Sequence, residues 1–292
     1  MKIAGPEPGS DRAVVRKSVR VSAPVVVKIG GRALETSGAL RELGAALADL
    51  GGPRVLVHGG GAEVSTWCER VGLTPRFQDG LRVTDPATLE VAVAVLAGLA
   101  NKRLVAALRA AGLDAIGLSA VDGGIATVAL HADAGRLGEV GDVRAVSTAL
   151  LETLLAHGHV PVLASVGALG GRLLNVNADA LAGAIAGALG ARSLVLLSDT
   201  PGLMLEGRRV AHLPGSRIEA ALAHPDVQGG MRPKLDAARA AIAAGVPRVH
   251  ITAWEGSGTL RDLMAGHGAS PAGRSAHGTT IHAASSAEVA HD

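Results

Sequence analysis

A lysine and two glycine turns are the residues of this 292-residue chain best suited to holding a phosphate. Lys28 ends an apolar run and precedes Gly30 and Gly31, and a second apolar run leads through His58 into Gly59-Gly60-Gly61. Glycines after a strand let several backbone N–H groups point at one place, and a following helix adds the positive end of its dipole. An ammonium beside such amides predicts a phosphate site.

The two most common nucleotide-binding motifs are absent from the sequence. The chain contains neither a G-x-x-x-x-G-K-[ST] loop nor a G-x-G-x-x-G fingerprint. The alternative interpretation is that the glycines serve only tight turns, since 40 glycines make chance clusters frequent. The lysine placed two residues before the first glycine pair favours the phosphate site.

Arg82 is a candidate clamp for an acidic substrate. It lies between Leu81 and Val83, just before a helix that Thr84 or Asp85 is expected to cap. Alternation along an extended segment would turn Arg82 away from its two aliphatic neighbours. A guanidinium binds a carboxylate through two parallel hydrogen bonds. A surface arginine on an edge strand is the competing interpretation.

Two amides and a carboxylate are crowded where a predicted strand runs into a helix. Asn177 or Asp179 could act as a helix cap or a first-turn acid. That role does not account for Asn175 as well, and Asn175 and Asp179 would share a helix face if the helix began early. We therefore expect polar groups from this segment in the site.

Lys234 is predicted in the first turn of an Ala-rich helix, after Gly229-Gly230 and beside Pro233, a residue common at helix starts. A lysine there is unfavourable against the helix dipole by a few tenths to about 1 kcal/mol. A nearby anion, such as a nucleotide phosphate, would offset this; a surface lysine is the alternative.

The 11 histidines give no metal motif. His157 and His159 form an H-x-H that follows a predicted helix end, where a cap is the simpler role, and no H-E-x-x-H occurs. No protein side chain is therefore assigned to a metal. A G-x-S-x-G elbow for Ser-His-Asp hydrolysis is also absent.

Composition excludes several classes of protein. With one Phe, no Tyr and two Trp, the core must be aliphatic and stacking of nucleic-acid bases is nearly ruled out. The net charge of +2 gives no reason to expect nucleic acid or an anionic membrane, and the basic cluster Arg12 to Arg20 is interpreted as a solvated leader. The lone Cys68 excludes an internal disulfide and is expected to be a buried thiol.

Apolar segments alternate with Ala/Leu-rich helical segments, which predicts an α/β fold with a mainly parallel sheet covered on both faces. Residues 122–146 instead indicate β-hairpins at a sheet edge. No signal peptide is visible, and the uncharged apolar stretches Val91–Ala100 and Ala180–Ala191 are too short to span a bilayer, so a cytoplasmic protein is expected. The predicted strands lie near 25–29, 54–57, 113–118, 160–163, 194–198 and 247–251, and the helices near 38–50, 62–71, 85–111, 148–157, 177–190, 216–223 and 233–244.

A Gly-Gly turn and an Ala/Gly-rich helix between residues 171 and 192 predict a boundary between two lobes. The expected division is a leader at 1–23, two lobes at 24–175 and 176–282, and a frayed tail at 283–292.

Taken in order, these segments closely resemble the motif series of the acetylglutamate kinases. The resemblance covers roughly residues 25 to 281, and six short motifs in order form a strong signal. The motifs are Lys28-Ile29-Gly30-Gly31, His58-Gly59-Gly60-Gly61, Gly80-Leu81-Arg82-Val83-Thr84, Asn175-Val176-Asn177-Ala178-Asp179, Leu197-Ser198-Asp199-Thr200-Pro201-Gly202-Leu203 and Gly230-Met231-Arg232-Pro233-Lys234, with Gly278-Thr279-Thr280-Ile281 at the end.

The resemblance implies the amino acid kinase fold, a three-layer αβα sandwich, and ATP-dependent phosphorylation of the side-chain carboxylate of N-acetyl-L-glutamate in arginine biosynthesis. Lys28 and Lys234 would neutralise the transferring phosphoryl group, and Asp179 would hold both ammonium groups. Magnesium would bridge the nucleotide phosphates. The remaining implied contacts are Gly60, Gly61, Arg82 and Asn175 to the substrate, and Gly30, Gly31, Ser198, Asp199, Thr200, Pro201, Gly202 and Leu203 to ATP.

The chain departs from the family pattern in two places. Arg32 stands where a small or aliphatic residue is expected, which bears on the geometry of the nearby loop. The segment before Val25 lacks the long amphipathic helix of arginine-inhibited members, and the pattern of their arginine site is missing from the C-terminal region. The resemblance therefore implies a homodimer that arginine does not inhibit.

Other activities remain open at this stage. A kinase for N-acetylaminoadipate or N-succinylglutamate would use the same chemistry. One methylene changes the binding free energy in a pocket by only about 1–3 kcal/mol, so the motifs by themselves do not separate these substrates from N-acetyl-L-glutamate. A catalytically silent amino-acid-binding domain of the same fold, or a plain nucleotide-binding module, are the alternatives from other classes.

Overall fold

The computed structural model describes residues 22–30, 36–264 and 278–283. Gly31, Arg32 and the basic cluster Arg12 to Arg20 lie outside the described residues. The predictions for the leader and for most of the tail therefore fall on residues that the structure does not describe.

Sixteen strands and ten helices form within the described residues, and the predicted elements are all present with ends shifted by a few residues. The strands are β1 Val25–Ile29, β2 Arg54–His58, β3 Phe77–Gln78, β4 Leu81–Arg82, β5 Ala115–Ser119, β6 Ala126–Leu130, β7 Val140–Val146, β8 Val160–Ala164, β9 Val166–Leu169, β10 Arg172–Val176, β11 Ser193–Ser198, β12 Met204–Leu205, β13 Arg208–Arg209, β14 His212–Pro214, β15 Arg248–Ala253 and β16 Thr279–His282. The helices are α1 Ser37–Asp49, α2 Gly61–Arg70, α3 Pro86–Val93, α4 Asn101–Ala110, α5 Ala134–Leu137, α6 Ala149–Ala156, α7 Ala178–Ala188, α8 Ile218–Leu222, α9 Met231–Ala243 and α10 Gly258–Met264, with a π-helical segment at Ala94–Ala100 and 3₁₀ turns at Asp122–Gly124 and Gly215–Arg217.

The central sheet has eight strands in the order β14-β16-β15-β11-β1-β2-β8-β5. All neighbouring pairs are parallel except β15 with β16. Parallel strands end at the same edge, so β1, β2 and β11 bring Lys28, the turn after His58 and the loop after Ser198 to one side of the sheet. The predicted mainly parallel sheet is confirmed.

Helices cover both faces of this sheet and create two aliphatic cores. Alternation along β1 directs Val26 toward the core that includes α7 and α9, whereas Val25 and Val27 face the core that includes α1, α4 and α10. The result is the three-layer αβα sandwich. Both cores are almost wholly aliphatic, as the composition requires.

The predicted hairpin at a sheet edge is confirmed for β6 and β7, with β6 as the edge strand. β6 and β7 pair antiparallel and belong to a separate four-stranded sheet in the order β6-β7-β10-β9. β10 runs antiparallel to its neighbour in the chain, β9. It also runs parallel to β7, and this pairing joins segments more than 30 residues apart. Local turn signals predict the hairpins but carry no information about this long-range pairing.

One continuous helical stretch, Pro86–Ala110, is long and apolar enough to cross a membrane by length and composition. It contains the uncharged run Val91–Ala100, which by itself is too short to do so. Its side chains at Leu104 and Leu108 are fully buried in the core shared with α1. Val95 and Leu96 pack into a third cluster with α2, where Cys68 is a buried free thiol as predicted. The stretch is thus built into the layers of the fold.

Candidate active site

Three charged side chains form the centre of the site. The ammonium of Lys28 lies 3.0 Å from Oδ1 of Asp179, and the ammonium of Lys234 lies 3.3 Å from Oδ2. All three side chains are buried. They come from β1, α7 and α9, and alternation places Lys28 on the sheet face that α7 covers. Lys234 also donates to the Gly230 carbonyl at 3.1 Å, which ties it to the turn before its helix.

Burial and charge act against each other in this cluster. Burial alone raises the pKa of the Asp179 carboxyl, but the charges and hydrogen bonds of Lys28 and Lys234 outweigh it, so its pKa lies below the ordinary value. Burial lowers the pKa of the Lys234 ammonium, Asp179 opposes that change, and Lys28 adds to it. One carboxylate between two ammoniums leaves net positive charge, which suits an anionic ligand.

The glycine turns lie beside this cluster, and close packing explains two of the glycines. A Cβ at Gly30 would lie 2.7 Å from Nζ of Lys28, so a larger residue there would displace the lysine side chain from its place over the turn. A Cβ at Gly60 would lie 2.9 Å from Cδ2 of Leu96. Gly60 is the N-cap of α2, and its carbonyl accepts from Val64 N. The positive end of α2 therefore opens toward the cluster.

Arg82 is buried and held by several groups, so the surface-arginine interpretation is wrong. Its Nη2 donates to the Gly61 carbonyl at 2.6 Å and to Ser65 Oγ at 2.8 Å. Nη1 is buried without a hydrogen-bond partner. A buried guanidinium N–H without an acceptor costs free energy.

The Asn175 to Asp179 segment divides its roles among three side chains. Asn177 is the N-cap of α7 and accepts from Ala180 N at 2.9 Å, as one alternative predicts. Asn175 lies on β10 and donates to Thr84 Oγ1 at 3.1 Å. The helix begins only at Ala178, so the early start that would place Asn175 and Asp179 on one helix face does not occur. Asn175 nevertheless reaches the same cavity as Asp179 from the end of its strand.

Two joined cavities meet at Lys28, Gly60 and Gly61. The smaller, about 220 Å³, is bounded by Arg82, Asn175 and Asp179 among others. The larger, about 970 Å³, is bounded by Lys234 and by the loop after β11, including Ser198, Asp199, Thr200, Pro201 and Gly202. The charged cluster thus lies between a small compartment with an arginine and a large one with a loop.

The loop after β11 is tied down at both ends. Ser198 Oγ and Thr200 Oγ1 lie 2.8 Å apart, and Leu203 N donates to Thr279 Oγ1 at 2.8 Å. Leu203 is fully buried, so it anchors the loop and leaves the preceding residues to face the cavity. Thr279 also donates to the Val210 carbonyl, so the closing strand β16 holds the loop.

Sequence reasoning missed Phe77 and Ser65. The guanidinium of Arg82 stacks over the Phe77 ring at 4.6 Å from its centroid, across the hairpin formed by β3 and β4. The sequence does contain a signal for this hairpin, because Asp-Gly is a typical two-residue hairpin turn. Asp79 and Gly80 form that turn between β3 and β4, and both have positive φ. Ser65 carried no sequence signal, because only the folded helix brings it to Arg82.

No group of three or more His, Cys, Asp or Glu side chains that could hold a metal ion occurs within residues 22–30, 36–264 and 278–283. Both oxygens of Asp179 face ammoniums, so this carboxylate is not suited to be a metal ligand.

Most of the chain is similar in sequence to known acetylglutamate kinases. Acetylglutamate kinase of Methanopyrus kandleri is 46% identical over 241 residues, covering 79% of this chain and 95% of the relative. Acetylglutamate kinase of Chloroflexus aurantiacus is 46% identical over 229 residues, covering 77% and 90%.

Solved structures share the fold. N-acetylglutamate synthase from Neisseria gonorrhoeae, complexed with coenzyme A and N-acetyl-glutamate, has a TM-score of 0.75 at 26% identity and covers 90% of this chain and 60% of that one. Carbamate kinase from Giardia lamblia bound to AMP-PNP has a TM-score of 0.64 at 14% identity, which bears on the fold alone. The sequence profile of the amino acid kinase family matches residues 23–253, and with these relatives it shows that the chain belongs to the amino acid kinase family.

Proposed function

We propose that this protein transfers the γ-phosphoryl group of ATP to the side-chain carboxylate of N-acetyl-L-glutamate, giving N-acetyl-L-glutamyl 5-phosphate for arginine biosynthesis. The observation that carries the proposal is the Lys28–Asp179–Lys234 cluster at the junction of two cavities. The acetylglutamate kinases at 46% identity support the choice of substrate.

The cluster fits the charge problem of this reaction. A carboxylate that attacks a phosphoryl group has no proton to lose, so the site needs positioning and charge neutralisation more than a base. Lys28 and Lys234 reach the junction from opposite sides of Asp179 and would neutralise the transferring group. Asp179 would hold both ammoniums at fixed positions, so they would not have to reorganise during transfer.

The smaller cavity would bind the acyl amino acid. Arg82 would bind the substrate carboxylate that is not phosphorylated, and Asn175 would add an amide. Gly60 and Gly61 would offer N–H groups near the reacting carboxylate. Most of its lining comes from the proposed substrate lobe, residues 24–175, and residues 176–179 complete it.

The larger cavity would bind ATP between the proposed nucleotide lobe, residues 176–282, and residues 60–70 of the substrate lobe. Ser198, Asp199, Thr200, Pro201 and Gly202 line it, and Leu203 anchors their loop. Gly30 would face the phosphates, and Gly31 has the same role by resemblance. Mg²⁺ held by the nucleotide phosphates would reduce their negative charge, while this chain's lysines act on the transferred group.

We further propose a cytoplasmic homodimer that arginine does not inhibit. The resemblance to the acetylglutamate kinases is the support for this proposal. Sedimentation of the purified protein tests the dimer, and turnover at increasing arginine concentrations tests the insensitivity.

Acyl phosphate formation tests the reaction. The protein is incubated with MgATP and N-acetyl-L-glutamate, and the product is trapped with hydroxylamine, with N-acetylaminoadipate, N-succinylglutamate and free glutamate in parallel. We expect hydroxamate with N-acetyl-L-glutamate, and a much larger loss of kcat than rise in KM for Lys28→Ala and Lys234→Ala. Arg41→Ala, on the exposed side of α1, is the control for loss of a surface cation.

The outcomes separate the alternatives. Preference for another acyl acid would keep the chemistry and change the substrate. ATP binding without hydroxamate from any acid would contradict the proposal and favour a silent binding domain. Full activity of either lysine variant would contradict the assigned roles, provided that the variants unfold at the same temperature as the unmodified protein.

A further inference from the structure

Asn101 is a buried polar side chain outside the proposed contacts with substrate and ATP. It is fully buried at the point where the π-helical segment Ala94–Ala100 passes into α4. π-helical turns are rare and occur frequently near functional sites. A Cβ at Gly60 would lie 2.9 Å from Cδ2 of Leu96, so this segment lies close beside the glycine turn.

The amide of Asn101 fixes the ring of His58. Its Nδ2 lies 3.1 Å from His58 Nε2, 2.9 Å from the Val162 carbonyl oxygen and 3.3 Å from the Leu118 carbonyl oxygen, so its two N–H hydrogens are shared among three acceptors. Lys102 Nζ donates to Asn101 Oδ1 at 3.0 Å. These contacts leave the Asn101 amide one orientation, with its NH₂ group toward the histidine.

The other ring nitrogen of His58 contacts the glycine turn. Nδ1 lies 2.9 Å from the carbonyl oxygen of Gly59. A carbonyl only accepts, so Nδ1 carries the proton and Nε2 accepts from Asn101, which makes the two contacts mutually consistent. Burial lowers the pKa of His58 to about 4, so the ring is neutral near pH 7.

The direction of the Gly59 carbonyl determines the direction of the next N–H. The peptide bonds among the described residues are trans, so the N–H of Gly60 points to the opposite side of the peptide from the Gly59 oxygen. Glycine has no side chain to restrain that peptide, which leaves the hydrogen bond from His58 as a restraint on it. Gly60 lines both cavities at their junction.

We propose that His58 and Asn101 are positioning residues that orient the Gly59–Gly60 peptide so that the Gly60 N–H faces the site of phosphoryl transfer. Neither side chain touches the reacting groups. The inference rests on the proposed function, because it assigns the Gly60 N–H to the transferring phosphoryl group or the attacking carboxylate.

Substitution at the two positions tests this role against a matched buried histidine. His250, on β15 of the same sheet, is also buried, has a pKa lowered to about 4 and bonds to Thr280 Oγ1 at 3.0 Å. We expect His58→Leu and Asn101→Ala to lower kcat about tenfold to a hundredfold, the effect of a small misplacement of a catalytic group. KM for ATP should change little, and His250→Leu should keep kcat within about twofold at equal folded fraction.

Two readouts separate positioning from general destabilisation. Affinity for MgADP–aluminium fluoride with N-acetyl-L-glutamate should fall with kcat, while affinity for MgADP alone stays constant. His58→Asn, whose side-chain amide can replace Nδ1–H at the Gly59 carbonyl, should recover part of the lost kcat. A loss of kcat for His58→Leu no greater than for His250→Leu would overturn the proposal.

A spectroscopic measurement keeps the inference testable if a leucine variant does not fold or if the enzyme assay fails. In ¹⁵N-labelled protein, the Asn101→Ala substitution should shift the Gly60 amide resonance and change the tautomer signal of His58. Unchanged resonances would overturn the positioning role. A missing hydroxamate product from the unmodified protein would overturn the proposed function alone, because the resonances do not depend on turnover.

Discussion

The ammonium of Lys28 lies 3.0 Å from Oδ1 of Asp179, although the two residues are 151 positions apart in the chain. The contact joins a strand of the central sheet to the first turn of α7, and the other carboxylate oxygen meets Lys234 on α9. A single carboxylate therefore fixes the spacing of two cations that would otherwise repel each other.

Asp179→Asn should reduce kcat about a hundredfold or more, because the two ammoniums lose the charge that holds them in place. Asp179 opposes the lowering of the Lys234 pKa, so its removal lowers that pKa further. The protonated lysine is the active form, and the alkaline limb of the kcat–pH profile should therefore move to lower pH. Asp236→Asn, on α9 beside Arg239, is the control; an unmoved limb in Asp179→Asn would contradict the argument.

Phe77→Leu should raise KM for N-acetyl-L-glutamate with little change in kcat or in KM for ATP. The ring stacks on the Arg82 guanidinium, a contact worth about 0.5–2 kcal/mol, which corresponds to about a twofold to thirtyfold effect. Phe77→Tyr keeps an aromatic face and should lose less affinity than Phe77→Leu. Val71→Ala tests removal of another exposed apolar side chain; an equal rise in both KM values would argue against a role through Arg82.

Gly183→Ala should destabilise the protein and lower kcat together. A Cβ at Gly183 on α7 would lie 2.8 Å from the Ala237 carbonyl oxygen on α9, so the helices that carry Asp179 and Lys234 must separate. Overpacking of this kind costs about 1–3 kcal/mol. Chemical denaturation and hydroxamate assays measure both effects. Gly38→Ala on α1, where the nearest atom is 3.7 Å away, should leave both quantities nearly unchanged.

Two buried histidines should make the protein less stable in mild acid. The pKa values of His58 and His250 are lowered to about 4 by burial, against 6.5 in the unfolded chain. Between pH 6.5 and 4 the unfolded state binds more protons, so the free energy of unfolding falls as pH falls, by about 1.4 kcal/mol per pH unit for each histidine. Above pH 6.5 both histidines are neutral in the folded and unfolded states, so protonation no longer lowers the free energy of unfolding.

Denaturation midpoints measured between pH 4 and 7 check this prediction. His250→Leu removes one titrating group. The slope of its unfolding free energy against pH near pH 5 should therefore be smaller by about 1.4 kcal/mol per pH unit. An identical slope in the variant and the unmodified protein would show that His250 does not contribute.

Much of the site could be predicted from the sequence because its parts follow local rules. The glycine turns after β1 and β2, the cap of α7 and the position of Lys234 in the first turn of α9 each depend on a few neighbouring residues. Strand alternation and the parallel sheet then require the turns to meet at one edge. Family resemblance added the roles of the residues that these rules bring together.

Tertiary structure decided which side chains touch. Asn175 reaches the small cavity from a strand of a second sheet, not from the helix of Asp179, because β10 pairs with β7 and β9. Ser65 contacts Arg82, and Asn101 contacts His58, across layers of the fold. Local sequence sets backbone conformation over a few residues, whereas these contacts depend on how distant elements pack. The sequence alone determined the turns and the charged residues, and packing decided their partners.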